Sequence, residues 1–237
     1  MVSAGNTGAT MAAALLRMGR LPGVIRPCIA TPIPNPGKNP CVMTDAGANA
    51  ECTPEMLVQF AKLASAYAGA NYGIASPLVG LLSIGEESSK GTTLVKETNE
   101  LLGADPLINF FGNVEGRDLI PGTVDVVVTD GFTGNVALKT LEGAFKFVVG
   151  AMLSVIDTND ETRRAGETLF PYLQNQFRSL SPDHHGGALL LGLNGICVIS
   201  HGSSNDTAIM NAIRIANEMH SAGVINKMRL AIRPDQE

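Results

Sequence analysis

Apolar positions along this chain fall into two rhythms. Short, mainly apolar runs recur at Ile25 to Ile33, Cys41 to Thr44, Val79 to Ile84, Ile108 to Phe111, Val124 to Asp130 and Ile196 to Ser200. Runs of this length, rich in branched side chains and lacking a polar face, predict strands covered on both sides. Longer stretches repeat apolar residues every three or four positions. They predict helices up to about Met18, from Thr53 and Pro54 through Phe60 and Leu63 to about Tyr67, up to about Leu102, along Val136, Leu138, Leu141, Phe145, Val148 and Val149, and from Asp206 to His220. Thr53 suits the N-cap of the second helix, because its hydroxyl can accept an orphan N–H, and Pro54 suits the first helical position. Strands alternating with helices imply a doubly wound, mainly parallel α/β sheet, with residues 1–237 as one domain. Pro32, Pro34 and Pro36 lack ladder donors and predict an edge or loop after Ile25 to Ile33.

Most predicted strands empty into a polar turn. Ser3-Ala4-Gly5-Asn6-Thr7-Gly8-Ala9 opens the first helix, Asp45-Ala46-Gly47-Ala48-Asn49 follows Cys41 to Thr44, and Gly85 to Gly91 follows Val79 to Ile84. Gly112 to Asp118, Asp130 to Asn135 and His201-Gly202-Ser203-Ser204 complete the set. A strand, a glycine turn and a helix together make an anion-binding arrangement: backbone N–H groups approach the ligand and the helix N-terminus is partly positive. An open parallel sheet gathers such turns at its carboxyl edge.

Each turn also has a purely structural reading. Glu86 and Glu87 suit solvated surface, and Arg117 and Asp118 suit pairing with each other. Lys90 suits either exposed surface or a cation that neutralises phosphate or an oxyanion. Asp130 suits a helix cap or a carboxylate that orients Lys90 beside phosphate. His201 suits a capping hydrogen bond or a proton shuttle.

Charge and composition narrow the field. A net charge of -5 leaves no basic surplus for nucleic acid. Cys28, Cys41, Cys52 and Cys197 have neither CxxC spacing nor histidines at metal spacing, which reads as small buried hydrophobes in a reducing cytoplasm. Adjacent His184 and His185 cannot share one face of a helix or strand, so they do not suggest a metal pair. No apolar run reaches the roughly 20 residues of a membrane helix.

In this order, SAGNTGA, DAGAN, GNVEGRD, DGFTGNVALKT, GGALLLGLNG and HGSS resemble PlsX, the bacterial phosphate acyltransferase family, over nearly the whole chain. The resemblance implies transfer of a fatty acyl group from acyl carrier protein to inorganic phosphate, giving acyl phosphate for phospholipid synthesis, without a cofactor. It also implies a fold similar to phosphotransacetylases and to isocitrate and isopropylmalate dehydrogenases, a homodimer, and peripheral membrane contact. Members of that family begin with a first strand and an Asp-Ala-Met-Gly-Gly-Asp turn upstream of SAGNTGA. The expectation is therefore an N-terminally truncated chain, lacking its first strand and one wall of the cleft, that transfers acyl groups poorly.

Attack of phosphate on a thioester needs no protein nucleophile. The protein must position two reactants and supply donors to an oxyanion. Lys90, His201 and Asp130 are the expected catalytic residues. Asn6, Thr7, Gly8, Asn49, Asn113, Glu115, Thr133, Gly134, Asn135, Gly202 and Ser203 are expected to bind substrate, with no metal ligands. Two other classes stay open. One is a short-chain phosphotransacetylase or a metal-dependent hydroxyacid dehydrogenase, the latter needing an aspartate cluster that the sequence does not suggest. The other is a non-catalytic remnant that only binds.

Leu153 to Pro182 differs in character. It is charged from Asp157 to Arg164, carries Leu169, Phe170, Tyr172, Leu173 and Phe177, and contains Pro171, which is expected to interrupt any helix. A helical hairpin packed on a second subunit and a tip touching membrane both fit. Arg163, Arg164 and Arg178 against Asp157, Asp160, Glu161 and Glu167 give no basic surplus, which favours the dimer. Gly186 to Gly195 leads into the last strand, and Lys227 to Glu237 reads as a trailing segment.

Overall fold

The computed structural model describes residues 1–35, 37–180, 187–200, 202 and 204–232. The chain runs β1 (Val2–Ser3), α1 (Thr7–Met18), β2 (Cys28–Ile33), β3 (Cys41–Thr44), α2 (Pro54–Tyr72), β4 (Leu78–Leu82), α3 (Thr93–Ala104) and β5 (Asn109–Val114). It continues through a short 3-10 turn at Gly116–Asp118, β6 (Val126–Val128), α4 (Gly131–Ile156), α5 (Asp160–Leu180), β7 (Ala188–Leu191), β8 (Val198–Ile199), α6 (Asp206–Ser221) and α7 (Val224–Ile232).

The strands form one sheet in the order β1-β8-β7-β2-β3-β6-β4-β5. Successive side chains on a strand point to opposite faces, and the core divides accordingly. Val42, Val79, Leu81, Val126 and Val128 face Phe60, Leu63, Tyr67 and Met228 of α2 and α7. Cys41, Met43, Val127, Leu190 and Ile199 face Ala14 of α1, with Leu138 and Leu141 of α4 packed against them. Helices on both faces are the doubly wound arrangement that the apolar runs predict.

Strand direction corrects the expected geometry. β3, β6, β4 and β5 are mutually parallel, whereas β2 is antiparallel to β3 and to β7, and β7 is antiparallel to β8. With β1 parallel to β8, the carboxyl ends of β1 and β8 point to the opposite edge of the sheet from those of β3, β4, β5 and β6. The turn at Asn6 therefore does not gather with the turn at Asp130, while His201 lies outside the described residues. Three strand spacings separate β8 from β3, about 14 Å across the sheet.

Four local expectations also change. β2 lies inside the sheet despite Pro32. β7 pairs only as far as Ala30, and Val42 opposite Pro32 donates its own N–H away from β2, to Asp125. The missing proline N–H therefore faces no ladder. Helix α5 runs through Pro171, which sits on an exposed face where the carbonyl released four residues earlier can reach water. Helix α2 continues past Tyr67 to Tyr72 and ends at Gly73, whose φ of 70° reverses the chain. The supposed trailing segment overlaps α7, whose buried Val224, Met228 and Ile232 recur every fourth residue. Among the described residues, no helix is long and apolar enough to cross a membrane.

Candidate active site

The carboxyl edge of β3, β6, β4 and β5 carries two different kinds of loop. The first follows β3. Asp45 is fully buried, and its Oδ1 accepts the N–H groups of Ile29 at 3.0 Å, Gly47 at 3.1 Å and Ala48 at 2.9 Å. Its Oδ2 accepts the backbone N–H and the side-chain amide of Asn49, both at 2.8 Å. Burial pushes the Asp45 carboxyl above its ordinary range, while the donors of Ala48, Asn49 and Ile29 pull it back. Asn49 also donates to the Pro27 carbonyl at 2.9 Å. The DAGAN turn is thus folded around its own aspartate.

Helix α4 docks on this loop through glycine. The Gly131 N–H donates to the Asn49 carbonyl at 2.8 Å, and Gly134 N–H to the Asp130 carbonyl at 2.9 Å. Asp130 caps the helix, accepting the Thr133 N–H and hydroxyl, each at 2.8 Å. A Cβ on Gly131 would lie 2.5 Å from the Asn49 oxygen, and one on Gly134 1.9 Å from the Asp45 oxygen. Asn135 packs over Gly47, where a Cβ would approach its amide nitrogen at 3.2 Å. These glycines admit neighbouring backbone, and the N–H groups of Gly131, Thr133 and Gly134 are engaged inside the protein. Of the two readings of Asp130, the structure displays the cap.

The second loop follows β4 and lies against the end of β5. Ile84, Gly85, Glu86, Glu87, Lys90, Glu115 and Arg117 line a cleft of about 440 Å³. Arg117 does not pair with Asp118. Its Nη2 lies 2.8 Å from Glu115 and 3.3 Å from Glu86, while Asp118 accepts the Glu115 N–H at 2.8 Å and the Thr123 hydroxyl at 3.4 Å. Lys90 is exposed, and among the described residues it has no carboxylate partner. It is a free cation on a cleft wall.

Asn113 holds this loop in place from behind. Only 2% exposed, it donates to the Glu87 carbonyl at 2.8 Å and accepts the Asn99 amide at 3.0 Å. Its polar atoms point into the protein, so it fixes the loop that carries Lys90. Asn99, on α3, had no local sequence signal. Its partner is 14 residues away and on another element.

At the opposite edge Asn6 caps α1, accepting the Ala9 N–H at 3.0 Å. Thr7 and Gly8 are exposed in the first turn of that helix. Gly202 lies close to Ala4, a Cβ there standing 3.8 Å from the Ala4 oxygen. His201 and Ser203 lie outside the described residues, as do His184 and His185. Among the described residues no group of three or more His, Cys, Asp or Glu is arranged to hold a metal.

Solved phosphotransacetylases share this architecture. The enzyme of Streptococcus pyogenes superposes with a TM-score of 0.54 at 19% identity, covering 98% of this chain and 62% of its own, and a branched-chain phosphotransacylase of Enterococcus faecalis gives 0.51 at 17%, covering 83% and 65%. At these identities the likeness defines the fold class alone. The chain belongs to the fatty acid synthesis protein family, whose model matches residues 1–227. A relative in Elusimicrobium minutum named phosphate acyltransferase is 48% identical over 236 residues, covering 100% of this chain and 69% of the relative. One of the same name in Halothermothrix orenii is 47% identical over 237 residues, covering 100% and 71%.

Proposed function

We propose that the chain transfers a fatty acyl group from acyl carrier protein to inorganic phosphate, releasing the carrier thiol and forming acyl phosphate for phospholipid synthesis. The observation that carries this reading is the 48% identity, across the whole chain, to a protein named phosphate acyltransferase. In the proposed step a phosphate oxygen attacks the thioester carbonyl, a C–O bond forms, the C–S bond breaks and the sulfur leaves as thiolate. Lys90 is well suited to this step. As an exposed cation on a cleft wall it can neutralise the incoming phosphate and the charge that develops on the carbonyl oxygen. Glu115 and Glu86 hold Arg117 at the same cleft, and Asn113 keeps the Lys90 loop in register.

Asp130, Thr133, Gly134, Asn135 and Asn49 form the packed neighbouring wall at the same edge. Asn6, Thr7, Gly8 and Gly202 sit at the other edge, away from the Lys90 cleft. The test is release of free carrier thiol from acyl-carrier protein, with and without phosphate. Release that requires phosphate is expected; release unaffected by phosphate would exclude the reading.

The α4–α5 hairpin supports a homodimer. Phe147, Val148, Val155, Leu169, Phe170 and Tyr172 are exposed on it, a cluster that a second copy would cover. Phe145 and Phe177 stack edge to face within the hairpin, ring centroids 6.2 Å apart. Sedimentation at micromolar concentration is expected to give a dimer, and a monomer would reject it. The same exposed face is where peripheral contact with membrane would occur, and a cytoplasmic location suits four free thiols.

A further inference from the structure

Charge is distributed unevenly along this chain. The first 44 residues hold Arg17, Arg20, Arg26 and Lys38 and none of the chain's 22 Asp and Glu. Two of these arginines meet in space. Leu15, Arg20, Ile25, Arg26 and Pro27 line a groove of about 500 Å³ between the end of α1 and the entry to β2. Its walls are fixed by hydrogen bonds. The Arg20 guanidinium donates to the Ile25 carbonyl, the Asn194 amide donates to the Arg20 carbonyl at 2.7 Å, and Gln59 of α2 accepts the Ile25 N–H at 2.8 Å while donating to the Gly23 carbonyl at 2.9 Å. Arg20 and Arg26 are exposed, and among the described residues neither has a carboxylate partner.

Position matters as much as charge. Pro27, the last residue of the groove, accepts the Asn49 amide, so the groove adjoins the DAGAN loop at the same sheet edge as the Lys90 cleft. β2 and β4 stand three strand spacings apart, about 14 Å. The groove at the entry to β2 and the cleft beyond β4 are thus separate surfaces on one edge.

We infer that the groove between Arg20 and Arg26 is the docking surface for an acidic carrier protein that delivers its acyl thioester along this edge. The inference rests on the acyl-carrier reading of the site. It goes beyond it by placing the partner on a surface apart from the chemistry, beside the entry to β2 and not at the Lys90 cleft. Apolar Leu15, Ile25 and Pro27 supply the dry centre of such a contact and the two guanidinium groups its charged rim, where paired charges set association and partner choice.

The test is the affinity of a fluorescently labelled carrier protein, read by anisotropy, alongside turnover. Arg26→Glu is expected to weaken carrier binding about tenfold, to leave turnover of a small untethered acyl thioester unchanged, and Arg26→Lys to restore most of the binding. Arg17→Glu makes the same charge change on a different face of α1 from Leu15 and is expected to cost less than twofold. Binding of the unaltered chain is expected to fall steeply with salt, a readout that needs no variant. Carrier binding that is insensitive to both Arg26→Glu and salt would overturn the proposal, and so would an Arg17→Glu loss as large as that of Arg26→Glu. If the chain binds carrier through Arg26 yet releases no thiol with phosphate, the docking surface stands and the acyl-transfer reading fails.

Discussion

Two loops on one sheet edge look alike in sequence and differ in what they have left to offer. Asp130 to Asn135 and Gly85 to Gly91 each combine glycine with charged or hydroxyl residues at a strand end. In the first, the backbone donors of Gly131, Thr133 and Gly134 already serve Asn49 and Asp130, and the glycines exist because Asp45 and Asn49 backbone occupies the space of a Cβ. In the second, the loop is held from behind by Asn113, and exposed Lys90 lines the cleft with no carboxylate partner among the described residues. A glycine turn therefore signals close approach without saying whether ligand or protein does the approaching.

The largest effect that follows is on folding. Gly134→Ala would ordinarily favour a helix, but here its methyl would sit 1.9 Å from the Asp45 oxygen. A loss of about 3 kcal/mol or more is expected from such overpacking, measurable as a lowered denaturant midpoint. A stability equal to the parent chain would mean that the turn is open after all. Next in size is Lys90→Ala, expected to lower phosphate-dependent turnover about 100-fold, the scale of losing one oxyanion-stabilising group, with an unchanged melting temperature. Retained activity would remove Lys90 from the chemistry.

Asn113→Ala comes third. It leaves the Asn99 amide and the Glu87 carbonyl without their buried partner, at a cost of about 1 to 3 kcal/mol. Turnover should fall together with stability, because the Lys90 loop loses its anchor. A variant that melts earlier but turns over normally would show that the anchor does not position Lys90.

A smaller effect appears only at alkaline pH. Burial, helped by Asp125, pushes the Cys41 thiol from 9.0 up to about 12, and burial likewise raises Cys28. The folded chain then holds these protons at pH values where the unfolded chain has released them. Stability contributed this way is complete below about pH 9 and declines above it, by about 1.4 kcal/mol per pH unit for each thiol. Denaturation midpoints at pH 8, 9 and 10 check the sign, and a midpoint that rose across that interval would contradict it.

Much of the fold was legible because burial on two faces leaves a local imprint. Cys41 to Thr44 is a strand at the boundaries its apolar run suggests, and Thr53 accepts the Met56 N–H as the N-cap before Pro54. What escaped was non-local. The strand β7 lies hidden in a glycine-rich stretch, and the antiparallel pairing of β2 and β7, which turns β8 and β1 the other way, depends on partners more than 150 residues apart. Strand direction decides which turns share an edge, so the grouping of Asn6 with Thr133 could not be checked from the residues around either. At the site, Lys90, Glu115 and Arg117 could be picked out as charge at strand ends. The pairing of Arg117 with Glu86 and Glu115 instead of Asp118, and the support of Asn113 by Asn99, arise only when β4, β5 and α3 come together.

The contrast between the two loops is tested most directly by following backbone amide resonances while inorganic phosphate is added. The account predicts concentration-dependent shifts among Gly85 to Gly91 and at Arg117, with Gly131, Thr133 and Gly134 still. Shifts confined to Gly131 through Gly134, with the Lys90 loop unmoved, would contradict it.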